Sequence, residues 1–374
     1  MIARQRDRFS IPDAVHYLNC AYMAPLSHEV VAAMEKAARL KAAPWNYKPA
    51  DFFSVCEHFR DRAARLIGVS AETLAIVPSA SYALASAARN VPVSPGQNIV
   101  TLADQFPSNV YVWRELAAKN GAAMHAVERP SQSCWTEAVL DGIGPDTAAV
   151  ALPHCHWADG RVVDLERVGE KCRSVGAALV LDLTQSLGAM PIDFARVQPD
   201  FAVAACYKWL MGPYGVGIFY VDPKHHGGDP IEHSWINRAG AEDFARLVEY
   251  RDDFQPGARR FDMGEKSNPP LLLGASAALD FLLEFGVDAI AETLGARTEA
   301  IASEAAMIGL TSAEIGIRAP HFLALGFPRG VPDGLTDRLA ERNVHVSLRG
   351  SSLRVTPHLY NDETDSAALI EALG

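Results

Sequence analysis

Lys208 closes an apolar run in DFAVAACYKWLMGPYGVG. A lysine after a strand is ordinarily solvated. Here its neighbours are Tyr207, Trp209, Leu210 and Met211, followed by a Gly-Pro-Tyr-Gly turn. An amine kept among apolar groups loses its charge more easily, because desolvation disfavours the ammonium. A neutral amine is what imine formation with an aldehyde requires. Asp182 stands near the end of the preceding apolar run, ALVLDL, and Gln185 follows it in the same turn. A carboxylate paired with a pyridine-type nitrogen keeps that nitrogen protonated and makes the ring an electron sink. An amide beside it can hydrogen-bond a phenolate oxygen on the same ring. In VPSASYALASAARN, Ser79, Ala80 and Ser81 lie between a strand pattern and a helix pattern. Backbone N–H groups at a helix start, with serine hydroxyls, suit an anion such as phosphate.

These residues are useful together only if the fold gathers them. From residue 74 the sequence alternates short apolar runs with helical patterns: LAIV (74–77), NIVTL (98–102), AAVALPH (148–154), ALVLDL (178–183), FAVAACY (201–207) and GIFYV (217–221). Runs apolar on both faces and alternating with helices predict an α/β fold with a mainly parallel sheet between helical layers. In such sheets ligands sit beyond the carboxyl ends of the strands, where Ser79, Asp182 and Lys208 would stand. Two helices precede the sheet, one capped by Ser27 and one through FFSVCEHFRDRAARLIG. Past residue 250 the pattern changes. Helices over LLLGASAALDFLLEFG (271–286) and AIAETLGARTEAIASEAAMI are followed by HFLALGF, the helix LTDRLAERN, the strands VHVSLR and LRVTPH, and a closing helix through ALIEAL. This predicts a smaller C-terminal α+β domain, with a boundary near RDDFQPGARR.

LDLTQSLG and DFAVAACYKWLMGPYGVGIFYV together resemble the class V branch of fold-type I enzymes dependent on pyridoxal 5′-phosphate (PLP). That branch includes cysteine desulfurases, kynureninases, phosphoserine-type aminotransferases and isopenicillin N epimerase-like proteins. The likeness runs from YLNCAYMAP (17–25) to LRVTPHLYN (353–361). It implies a seven-stranded type of sheet in a large PLP-binding domain over 19–255. It also implies an N-terminal segment, 1–18, packing with a small C-terminal domain over 256–374. By position, Lys208 matches the Schiff-base lysine, Asp182 the partner of the pyridine nitrogen and Gln185 the partner of the phenolate oxygen. Ala80 and Ser81 match the phosphate turn. Tyr207, where desulfurases carry His, would bind phosphate, and Phe106 falls where the family stacks a ring on the pyridine face. Tyr207 resembles the kynureninase arrangement, and Phe106 resembles kynureninases and epimerase-like proteins. Arg354 lies close to the family's Arg-(Ile/Val)-Ser-x-His-x-Tyr-Asn segment, whose arginine grips the substrate α-carboxylate with a planar fork. Weaker positional matches are Ser267 and Asn268, on a loop reaching the phosphate of a neighbouring subunit, and Trp157, Asn19 and Tyr22 on the substrate side. A homodimer with its active site at the subunit interface is implied. His154, His156 and Trp235 are assigned no role.

PLP labilises bonds at Cα, and the protein decides which one breaks. Transamination of an amino-acid-like substrate is the leading expectation. Kynureninase-like or selenocysteine lyase-like cleavage at Cβ and epimerase-like racemisation remain alternatives. Desulfurases need a nucleophilic cysteine shortly before the arginine strand. None of the six cysteines lies beyond Cys206, so a persulfide mechanism is disfavoured. The absence of any CxxC pair argues against a structural metal site and for free thiols in a reducing compartment. A net charge of −11 argues against nucleic-acid and membrane surfaces. No run reaches the roughly 18 apolar residues of a membrane span, and the start, MIARQRDRFSIPDA, lacks a signal-peptide core. Cytoplasm is the expected location.

Overall fold

The computed structural model describes residues 1–374 except Gln132. Its strands are β1 (His16–Tyr17), β2 (Leu74–Val77), β3 (Asn98–Leu102), β4 (Ala123–Val127), β5 (Thr147–Pro153), β6 (Ala178–Asp182), β7 (Phe201–Ala205), β8 (Gly217–Val221), β9 (Leu323–Gly326), β10 (Val344–His345), β11 (Ser347–Arg349) and β12 (Ser352–Val355). The α-helices are α1 (His28–Ala42), α2 (Asp51–Ile67), α3 (Ala80–Asn90), α4 (Tyr111–Asn120), α5 (Thr136–Gly142), α6 (Leu165–Val175), α7 (Phe194–Val197), α8 (Pro269–Phe285), α9 (Val287–Met307), α10 (Leu335–Glu341) and α11 (Glu363–Leu373).

Seven strands form the main sheet in the order β2-β8-β7-β6-β5-β3-β4. All are parallel except β8, which runs antiparallel to both its neighbours. The expected fold class, α/β with a mainly parallel seven-stranded sheet, is what the chain adopts. Alternate residues of each strand point to opposite faces, and both faces are dry. Ile76, Val100, Leu152, Leu181 and Ala204 join one apolar cluster. Ala75, Ile99, Ala151, Val180 and Val203 join another. Helix α8 packs on α1 and α2 and adds Leu272, Leu279 and Leu282 to the first cluster.

The reversal at β8 has a consequence for the site. Val77 and Ala205 are both registered against Gly217. Strands β2 and β7 therefore end at one level, and Pro153 pairs with Asp182 at the ends of β5 and β6. The residues following β2, β3, β5, β6 and β7 all emerge from one edge.

A three-stranded antiparallel sheet, β11-β12-β9, forms the smaller C-terminal layer. Its core gathers Ile301, Leu323, Leu325, Leu339, Leu353, Val355 and Leu369 together with Leu18 from the other end of the chain. β1 pairs in parallel with β10. No single described helix is long and apolar enough to cross a membrane.

Two elements differ from the expected pattern. Strand β4 goes unread in the sequence because it is an edge strand with most of its side chains exposed, so it lacks the all-apolar run of its neighbours. The run VHVSLR is two strands rather than one. β10 pairs with β1 and β11 pairs with β12, so the chain changes partner at Val346.

Candidate active site

Lys208 sits in the turn that joins β7 to β8. The Met211 N–H donates to the Lys208 carbonyl at 2.9 Å, and the Gly212 N–H to that of Cys206 at 2.8 Å. The chain turns back at Met211, whose φ of 57° is left-handed. Gly188 holds φ 95°, and a Cβ there would lie 2.6 Å from the Trp209 carbonyl oxygen. A larger residue at 188 would push the lysine turn away from β6. From the other side, the Ala24 N–H donates to the Tyr207 carbonyl at 2.9 Å.

A cavity of ≈ 200 Å³ opens at this sheet edge. Ala80, Ser81, Phe106, Trp157, Asp182, Gln185, Tyr207 and Lys208 all line it, though they come from five separate stretches of chain. Lys208 is 6% exposed. Its Nζ lies 5.5 Å from the centre of the Phe106 ring and 5.4 Å from that of Tyr207. Burial pulls its pKa down to about 8, against the opposing charge of Asp182, and Arg354 lowers it further. Asp182 is equally enclosed. Its carboxylate accepts the Thr184 N–H at 3.0 Å, and burial pushes its pKa up. Gln185 is tethered at both ends of its amide: the oxygen accepts from Trp209 Nε1 at 3.0 Å, and Nε2 donates to the Ala21 carbonyl at 3.2 Å. One N–H of that amide has no partner among the described residues. At α3, Ser79 caps the helix by accepting the Tyr82 N–H at 3.2 Å, and its hydroxyl lies 2.9 Å from that of Ser81. The first-turn N–H groups of Ala80 and Ser81 are left for an anion.

Arg354 stands beside this cavity. It is 2% exposed, and its Nη1 donates to the Trp157 carbonyl at 3.0 Å. Its Nε has no hydrogen-bond partner among the described residues. Burial brings its pKa down to about 10, with Arg349 contributing. Trp157 also donates from Nε1 to the Asp104 carbonyl at 2.7 Å and meets the Phe106 ring edge-on, centroids 5.6 Å apart. Asn19 accepts from the hydroxyl of Ser347, the residue registered against Arg354, at 2.8 Å. Tyr22 is exposed.

Ser267 and Asn268 are not on the cavity wall of their own chain. The Ser267 hydroxyl donates to the Phe52 carbonyl, and Asn268 caps α8 through the Leu271 N–H at 3.2 Å. His154 and His156 are buried, which lowers each pKa to about 4, and His156 stacks on Trp135. Trp235 packs edge-on to Phe52 and Phe244. Gln105, Cys155, Thr184 and Tyr214 also line the cavity. The sequence assigns them no role, although Gln105, Cys155 and Thr184 lie two or three residues past strand ends, where the ligand rule points.

The wall fits pyridoxal phosphate on three counts. A buried amine lacks an acceptor, a buried carboxylate lacks a cation partner among the described residues, and a helix N-terminus with two hydroxyls lacks an anion. An aldehyde, a protonated ring nitrogen and a phosphate would satisfy all three. The family model for aminotransferase class-V matches residues 16–359. The uncharacterized aminotransferase YcbU of Bacillus subtilis (strain 168) is 28% identical over 323 residues, 85% of this chain and 82% of the relative. Isopenicillin N epimerase of Amycolatopsis lactamdurans is 26% identical over 393 residues, 99% of this chain and 97% of the relative. Kynureninase of Burkholderia mallei (strain SAVP1) is 27% identical over 311 residues, covering 78% and 69%. Among solved structures, a mutant of C-DES with glycine covalently linked to its PLP cofactor superposes with a TM-score of 0.89 at 19% identity, covering 99% of this chain and 98% of that one. The chain thus belongs to the class V aminotransferase family, with the fold-type I architecture and pyridoxal 5′-phosphate as its cofactor.

Proposed function

We propose that this enzyme works at the α-carbon of an amino acid and transfers its amino group. The observation that carries this reading is the Arg354 guanidinium, buried beside the Lys208 amine with no carboxylate partner among the described residues. A buried cation without a counter-ion is costly, and a substrate α-carboxylate would supply one bidentately. When bound, the cofactor withdraws electrons from the substrate's α-carbon. Lys208 would hold it through the amine, Asp182 would face its ring nitrogen, and Gln185 would donate to its ring oxygen. Ala80, Ser81 and Tyr207 would take its phosphate, and Phe106 would cover one ring face. Trp157, Asn19 and Tyr22 would border the substrate, Trp157 by orienting Arg354. Lys208 Nζ would also serve as the base for the α-proton.

Three measurements bear on these roles. Arg354→Gln should raise the KM for amino acids by about 10- to 100-fold, the worth of a charge-assisted pair; an unchanged KM would remove Arg354 from the substrate site. Only the neutral amine of Lys208 is nucleophilic. Cofactor uptake by the apoprotein should therefore accelerate by about tenfold per pH unit below about 8 and level off above it. A rate flat from about pH 6 to 9 would contradict the amine's assignment. Amino acids scored separately for keto acid, ammonia and loss of optical activity decide the reaction: keto acid without ammonia supports transamination.

A second reading, cleavage at Cβ, is favoured by Phe106 and Tyr207, which stand where the kynureninase-like pattern has them. Alanine with release of the rest of the side chain and no ammonia would support it, and racemised substrate would support the epimerase-like alternative. Persulfide transfer is disfavoured because the hairpin before Arg354 carries no cysteine. We also propose a homodimer in which Ser267 and Asn268 approach the partner's phosphate site.

A further inference from the structure

Strands β11 and β12 form a tight hairpin. Arg349 is registered against Ser352, and Ser347 against Arg354. The connection is Gly350-Ser351, with Gly350 at φ 56°, as a two-residue turn requires. Directly opposed residues share a sheet face, and so do residues two apart on one strand. Ser347, Arg349, Ser352 and Arg354 therefore lie on one face, with the two arginines as diagonal neighbours at about 7–8 Å.

That face is turned towards the cavity. Ser347 meets Asn19, and Arg354 reaches the carbonyl of Trp157, which lines the cavity. Arg349 is half-buried, and its Nη1 donates only to the Leu348 carbonyl, at 2.8 Å. Among the described residues neither arginine forms an ion pair, although Asp and Glu outnumber Lys and Arg 45 to 34. The charge of Arg349 is felt at both Arg354 and Lys208, lowering the pKa of each. Like charges held this close repel. A ligand can supply the counter-charge, and one α-carboxylate on Arg354 leaves Arg349 unmatched.

We propose that Arg349 grips a second anionic group and that the preferred substrate is an amino acid whose side chain ends in a carboxylate or a comparable anion. This rests on the reading in which Lys208 and Arg354 hold the amino-acid end. Serine hydroxyls 347 and 352, on the same face, can donate to the same anion. An amide in place of the distal carboxylate would keep size and shape but lose the fork-to-fork pair.

The test titrates the holoenzyme with L-aspartate and L-glutamate against L-asparagine and L-glutamine, following the visible absorbance of the bound cofactor. Wild type should bind at least one acid about 10- to 100-fold more tightly than its amide. Arg349→Gln should erase that preference by weakening the acids far more than the amides, and Arg349→Lys should restore part of it. Equal binding of acids and amides by wild type, or equal weakening of both in Arg349→Gln, overturns the proposal and leaves the Lys208–Arg354 reading standing. If none of the four shifts the absorbance, the Arg349 proposal falls, and the wider amino-acid panel decides the Lys208–Arg354 reading.

Discussion

Lys208→Ala should abolish turnover by at least about a thousandfold, the combined loss of a covalent anchor and a proton acceptor. Borohydride should fix the cofactor to the wild-type chain on the peptide containing Lys208 and should fix none to the variant. The amine is 6% exposed and donates to no hydrogen-bond acceptor among the described residues, so its removal should leave folding intact. Burial already costs the ammonium form, since its pKa falls from 10.5 to about 8. The sign follows from proton binding. Between about pH 8 and 10.5 the unfolded chain holds more protons at this lysine than the native apoprotein does, so apoprotein stability should rise with pH across that window. Lys208→Ala should flatten that rise. A variant that keeps activity within about tenfold of wild type would move the chemistry to another residue.

Asp262→Ala should be the most damaging single change to stability, by about 3–5 kcal/mol in denaturant unfolding. Asp262 is 1% exposed and accepts from Arg60 Nη1 at 3.1 Å and Nη2 at 2.9 Å, from Lys266 Nζ at 2.7 Å and from the Ile76 N–H at 2.7 Å. Lys266 also donates to Asn237 at 3.0 Å. Truncation strands two buried cations and one backbone donor in β2, the strand that delivers Ser79 to the cavity. Burial alone would raise the Asp262 pKa, but Arg60 and Lys266 more than offset it and hold the carboxyl below its ordinary value. Its contribution is therefore complete above the usual carboxylate range and is lost as pH falls through the lowered pKa. A loss under about 1 kcal/mol would mean that neighbouring groups or water replace the carboxylate.

Legibility of the site divides along one physical line. Asp182 and Lys208 could be read from their own chain because a parallel α/β sheet sends the carboxyl ends of its strands to a common edge. The same rule, applied strictly, reaches Gln105, Cys155 and Thr184. Phe106 and Arg354 were legible only through resemblance, since a phenylalanine opening a helix or an arginine in a strand carries no chemistry by itself.

The sequence by itself determined the layered fold and pointed to Lys208 and Asp182 at its carboxyl edge, since those follow from local apolar periodicity and residue type. Only the tertiary structure decided what surrounds them. The register of β11 on β12 puts Arg349 on the face of Arg354, Asn19 meets Ser347 from the opposite end of the chain, and Asp262 gathers Arg60 and Lys266. Edge strand β4 likewise became visible only through its pairing with β3. Such contacts join residues far apart in sequence, and their energy depends on burial and on which charges meet, neither of which a residue's own neighbours encode.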